Sequence, residues 1–72
     1  MTIGESMKKA RLDKGYSQTK LSIKSGISVI NISQWERNKV FPTIINLIPI
    51  ADALGVTLDE LVGRTVQSDE RN

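Results

Sequence analysis

An all-α domain of five short helices is the fold class that this 72-residue sequence predicts. Three observations predict it. Thr2, Ser17, Ser28, Thr43 and Thr57 each stand where a hydroxyl can accept from the free N–H groups that open a helix. Gly15, Gly26 and Gly55 then follow the segments started at Thr2, Ser17 and Thr43, where a helix is expected to stop. Between these signals, apolar residues recur at the three- and four-residue steps of a helix buried along one stripe. A chain this short forms one domain and buries only about 60% of its unfolded surface, so its core is small.

The first helix is expected from Ile3 to Lys14. Thr2 followed by Glu5 is a capping box, and Ile3, Met7 and Ala10 fall on one inward face. Leu12 lies off that stripe and is expected to be half exposed. The second helix spans Gln18 to Ser25, capped by Ser17. Leu21 points inward, Ser22 is small enough for close helix approach, and Ile23 falls away from the core. Gly26 ends the helix in a left-handed conformation that costs glycine no Cβ clash, Ile27 sits in the turn, and Ser28 caps a third helix.

That third helix, Val29 to Arg37, has Ile32 and Trp35 as its inward stripe, and two short helices therefore meet at a sharp angle. The opposite face carries Val29, Ile30, Asn31, Ser33, Gln34 and Arg37. Asn38 and Lys39 make a polar exit, and Phe41-Pro42 begins an extended crossing with Phe41 tucked beneath the loop. The fourth helix, Ile44 to Leu54, is capped by Thr43, with Ile44, Leu47, Ile48, Ala51 and Leu54 read as its inward stripe. Pro49 inside it removes one backbone bond, so one helix bent there is expected. Thr57-Leu58-Asp59-Glu60 is a second capping box and starts a short fifth helix burying Leu58, Leu61 and Val62. Residues 1–63 thus form the domain, and the polar stretch Arg64 to Asn72 is expected to fray.

Composition narrows the function. With no Cys and no His, thiolate chemistry, the usual general base and the commonest zinc ligand are all absent. No catalytic residue, metal site or cofactor is expected, and the chain reads as something other than an enzyme. No apolar run approaches the roughly 20 residues of a membrane span, and MTIGESMKK lacks a signal-peptide core, so no membrane partner and a cytoplasmic location are expected. The net charge of +2 is polarised: residues 1–39 hold eight basic against three acidic side chains, a balance of +5, whereas residues 40–72 balance at −3. A basic half bearing an unoccupied helix face is the footprint of a polyanion binder, although a solvated basic surface would look the same.

From Ser17 to Glu36 the pattern is S-Q-x-x-L-(small)-x-x-x-G-(aliphatic)-S-x-x-x-I-S-x-W-E. It resembles the helix-turn-helix of Cro and the phage repressors, the XRE family, and the resemblance extends over about residues 3 to 63. What it implies is a compact domain of the lambda-repressor-like DNA-binding type, with the helix-turn-helix at the second and third helices. It further implies base reading by Val29, Ile30, Asn31 and Gln34 on the third, recognition helix. Phosphate contacts are implied for Ser17, Gln18, Ser28, Ser33, Arg37, Asn38 and Lys39. Family members pair an arginine at the position of Arg11 with the glutamate that ends the recognition helix, here Glu36. Relatives dimerise through the loop before the fifth helix and that helix itself, which puts Val56, Leu58 and Val62 at a dimer interface; apolar residues there are as often edge core.

This chain departs from the family where long polar residues often open the recognition helix. Val29 and Ile30 cannot hydrogen-bond a base but can pack on a thymine methyl, while the Asn31 and Gln34 amides can bond adenine. The function expected is that of a small homodimeric transcriptional regulator of double-stranded DNA, repressor-like or restriction-modification controller-like, acting on a pseudo-palindromic operator. No effector domain is expected, so control would come from concentration, competition for sites, or a protein partner such as a toxin or antirepressor. The competing reading is an antitoxin or protein-interaction module whose apolar face on the third helix binds protein.

Overall fold

The computed structural model describes residues 2–63, and they form five helices with no strand among them: α1 Ile3–Asp13, α2 Gln18–Ser25, α3 Val29–Glu36, α4 Ile44–Leu54 and a short π-wound turn, α5, Asp59–Gly63. The all-α prediction holds, with α1 and α3 each one residue shorter because Lys14 and Arg37 serve as their caps. The tail, residues 64–72, lies outside the described residues. None of the described helices is long and apolar enough to cross a membrane.

All five hydroxyl signals act as read. The Oγ atoms of Ser17, Ser28 and Thr43 accept from the backbone N–H three residues on, at 3.0, 3.2 and 3.4 Å. Thr2 and Thr57 close reciprocal capping boxes, in which the Glu5 and Glu60 carboxylates each accept from the cap's own N–H at 2.8 Å. The Glu5 carboxyl is exposed, and the Thr2 N–H, then the Thr2 hydroxyl, hold it below its ordinary value of 4.5. Because folding lowers this pKa, the carboxylate stabilises the fold fully above about pH 4.5 and stops doing so as pH falls through the lowered value. Glu5→Gln is therefore expected to flatten the acid limb of a plot of urea midpoint against pH, and acid limbs of equal slope would show that this cap carries no such linkage.

Helices α1, α3 and α4 all end in the same way. A left-handed residue, Gly15, Asn38 or Gly55, lets the next N–H reach back five residues, from Tyr16 to the Arg11 carbonyl, Lys39 to Gln34 and Val56 to Ala51, at 3.0, 2.9 and 3.1 Å. Asn38, at φ 60°, is the one non-glycine among the described residues to take this conformation. Its turn throws the chain off α3 and sends residues 39–43 across to α4.

The core is Met7 of α1, Leu21 of α2, Ile32 and Trp35 of α3, Leu47, Ile50, Ala51 and Leu54 of α4, and Leu61 of α5. Helix α1 packs on α3 and α5, while α2 packs on α3 and α4. Ser6, buried in α1, donates to the Glu60 carbonyl at 3.4 Å and adds a polar tie to the α5 turn. One continuous helix runs through Pro49, and the carbonyl left without its helical N–H partner belongs to Ile45, an exposed residue.

Two expectations fail here. Ile44 and Ile48 are exposed, and Ile50, fully buried, takes their place in the stripe Leu47, Ile50, Ala51, Leu54. The helix is apolar nearly all round, so its spacing fits either face, and the face that meets the eight-residue α2 is the one buried. Phe41 is not beneath the loop: it is 74% exposed. Neighbours in an extended chain point to opposite sides, and Pro42 is the half-buried residue of that crossing.

Candidate nucleic-acid interface

Helix α3 is held from behind by one buried polar cluster. Arg11 of α1 donates from Nε and Nη2 to the two Glu36 carboxylate oxygens at 2.7 and 3.0 Å, a bidentate pair in which both residues are 7% exposed. The third guanidinium nitrogen donates to the Tyr16 carbonyl at 2.8 Å, and Gln18 Nε2 donates to Glu36 Oε1 at 3.0 Å. The cluster thus joins α1, the α1–α2 turn, the start of α2 and the end of α3. Charges this buried are tolerable only when their remaining hydrogen-bonding capacity is also met, and the Tyr16 and Gln18 contacts do that. The Arg11–Glu36 tie was legible by resemblance; its extension to Tyr16 and Gln18 was not, because a carbonyl or an amide partner leaves no mark in spacing.

A second contact that sequence reading missed sits at the same end of α3. Gly4, in the first turn of α1, lies against the end of that helix: a Cβ there would stand 2.6 Å from Asn38 Oδ1, 3.0 Å from the Glu36 carbonyl oxygen and closer still to that of Trp35. Glycine inside a helix is disfavoured by roughly 1 kcal/mol against alanine, and that local anomaly was the available signal.

With its back so fixed, α3 turns the other face outward. Ile30 is 67% exposed, Val29 less so, and Asn31 is exposed beside them; Ser33 and Gln34 are half-buried on the flank. The amides at the start of α3 extend the surface: Ser28 takes the N–H of Asn31, leaving those of Val29 and Ile30 without a helical partner. The start of α2 repeats the arrangement, with Ser17 occupied by Lys20 and the N–H groups of Gln18 and Thr19 free of intrahelical bonds. Gln18 is half-buried and its amide nitrogen is spent on Glu36, so that its Oε1 and its backbone N–H are the polar atoms it has left for a ligand. Arg37, Asn38 and Lys39 are exposed where the chain leaves α3, and Lys20 adds a positive charge 5.9 Å from the Tyr16 ring centroid. Two helix N-termini and three cationic side chains thus surround an apolar and amide-bearing face. Such a surface suits a polyanion whose interior edges offer both methyl groups and hydrogen-bonding atoms.

Val56, Leu58 and Val62, by contrast, are half-buried against the domain's own core. Among the described residues no three carboxylate, His or Cys side chains gather where a metal ion would be held.

Comparison with known proteins agrees with this geometry. A family model described as helix-turn-helix matches residues 7–61. The HTH-type transcriptional regulator y4dJ of Sinorhizobium fredii is 38% identical over 63 residues, covering 88% of this chain and 82% of that protein. The transcriptional repressor RstR of the cryptic phage CTXphi in Vibrio cholerae is 36% identical over 64 residues, 89% of this chain and 57% of its own. The immunity repressor of Bacillus phage phi105 is 30% identical over 63 residues, and there the chain spans only 44% of the relative's length. Among solved structures, the P22 c2 repressor in complex with a synthetic operator superposes with a TM-score of 0.79 at 30% identity, covering 96% of this chain and 98% of that one.

Proposed function

The chain belongs to the helix-turn-helix family of DNA-binding transcriptional regulators, a family of binders and not of enzymes, and from that premise we propose that it is a repressor-type regulator that binds a pseudo-palindromic operator as a homodimer. The observation that carries this reading is the buried Arg11–Glu36 pair, which fixes α3 so that its Val29, Ile30, Asn31 and Gln34 face is presented outward. Ser17, Gln18, Ser28, Ser33, Arg37, Asn38 and Lys39 ring that face and take the phosphate role. One recognition helix covers only a few base pairs, so useful affinity calls for two copies on half-sites roughly 34 Å apart. The repressors among the relatives and the operator-bound P22 c2 structure support duplex DNA as the partner. A protein-docking role for Val29 and Ile30 finds no such support.

Selection of bound duplexes from a random pool tests the reading, with the expected outcome a single pseudo-palindromic motif. On that site Gln34→Ala is expected to cost on the order of 1–3 kcal/mol and little on random DNA, whereas Arg37→Ala should weaken both alike and flatten the log–log salt slope by about one unit. Replacing thymine by uracil removes only a methyl group. It should weaken the wild type at the positions that Val29 and Ile30 touch, and leave a Val29→Ala, Ile30→Ala double variant unmoved. No enriched motif, or uracil without effect throughout the site, would count against sequence reading by this face.

A further inference from the structure

A cleft of about 320 Å³ lies between α1 and the segment that joins the end of α4 to α5, and no residue of α2 or α3 lines it. On α1 it is lined by the stripe Ser6, Ala10 and Asp13, whereas Gly4 and Arg11, which meet the end of α3, belong to another face of the same turns. Its apolar lining is Leu54 and Leu61, both buried, with the half-buried Ala10 and Val56. The polar groups around it are engaged within the chain, with one exception. Ser6 donates to the Glu60 carbonyl, the Glu60 carboxylate accepts from the Thr57 N–H, and Lys9 pairs with Asp13 at 2.8 Å. The Lys14 ammonium has no ion-pair partner among the described residues. Its Nζ nevertheless reaches the end of α4, 3.5 Å from where a Cβ on Gly55 would stand. The last carbonyls of a helix favour a cation, which accounts for that pose, but they carry only partial charge and leave the ammonium able to take an anion.

We infer that this cleft binds a small amphiphilic carboxylate, with its hydrocarbon body against Ala10, Leu54, Val56 and Leu61 and its head at Lys14. An apolar lining with a few placed polar groups is the usual form of a small-molecule site, and the volume falls at the small end of the roughly 300–1,000 Å³ that such sites span. At the roughly 30 Å³ that one water molecule takes up in the liquid, the cleft holds about ten heavy atoms, the size of octanoate. The sign of the head follows from the pairing around the rim. A carboxylate meets an unpaired ammonium, whereas a cationic head would meet Lys14 and find Asp13 and Glu60 already engaged. Because the lining shares no residue with the base-reading or phosphate-facing set, the domain can hold the carboxylate and a duplex at the same time.

Titration of the whole chain with octanoate, followed by amide NMR, tests this. Saturable shifts are expected at Ala10, Lys14, Gly55 and Val56, with a midpoint on the order of 1 mM for so small a ligand. Lys14 is exposed, so Lys14→Gln leaves the core alone; it is expected to raise that midpoint about fivefold. Octylammonium, the same chain with the opposite charge, should bind at least about tenfold more weakly than octanoate. Adding the selected duplex should leave the octanoate midpoint within about twofold, since the two sites share no residue. No saturable shift at the cleft, shifts at Arg37 and Lys39 in its place, displacement of octanoate by the duplex, octylammonium binding as tightly, or a midpoint unmoved in Lys14→Gln would each overturn the assignment. The DNA-binding reading survives every one of these outcomes, because none of them measures it.

Discussion

Arg11→Met is expected to destabilise the domain by about 3–5 kcal/mol, since removing one partner of a buried pair strands the other charge without water. Domains of this kind have only about 5–15 kcal/mol in hand, and a chain of 72 residues sits near the lower end, so much of the stability goes with this side chain. Three contacts are lost together: the two bonds to Glu36 and the one to the Tyr16 carbonyl. Glu36→Gln is expected to be damaging too, as it leaves the guanidinium buried opposite a neutral amide. The double variant should be milder than the two singles added, with a coupling of about 0.5–3 kcal/mol. Urea melts of the four proteins measure this, and additivity would mean that the charges act independently despite their 2.7 Å separation. DNA binding should fall with stability in both single variants, because the same cluster sets the pose of α3.

Gly4→Ala is the second large effect, and here two terms oppose each other. Alanine would gain about 1 kcal/mol from helix propensity alone. Against it stands a methyl group lodged among the Trp35 and Glu36 carbonyls and the Asn38 side chain. The Asn38 side chain can swing aside, but the carbonyls belong to the last turn of α3 and cannot move without shifting the recognition helix. Overpacking of this kind costs typically 1–3 kcal/mol, so the net change is expected to be destabilising and to lower the thermal midpoint by several degrees. Binding to the selected duplex, measured where the variant is still folded, should weaken as well, because the α1–α3 contact sets the tilt of α3. A midpoint equal to or above that of the wild type would show that α1 shifts freely on α3.

Helix starts and stops were legible because their causes are local. A hydroxyl three residues before a free N–H, or a left-handed residue at a helix end, involves a handful of neighbouring atoms, and these residue types declare themselves wherever the chain ends up. Both capping boxes, the Ser17 and Ser28 caps around Gly26 and the inward pair Ile32 and Trp35 follow from such rules. The Arg11–Glu36 tie spans 25 residues and was available only through resemblance to a family. What the sequence by itself determined, then, was the number, order and, to within a residue, the limits of the helices, and the outward face of α3, which lies opposite the inward pair Ile32 and Trp35. Only the tertiary structure decided which side of α4 goes inward, because isoleucines and leucines encircle that helix and any of several stripes satisfies its period until α2 occupies one. The same holds for Phe41, turned to solvent by the direction of the crossing and the inward Pro42, and for Gly4, whose missing side chain matters solely because the end of α3 comes to rest against it.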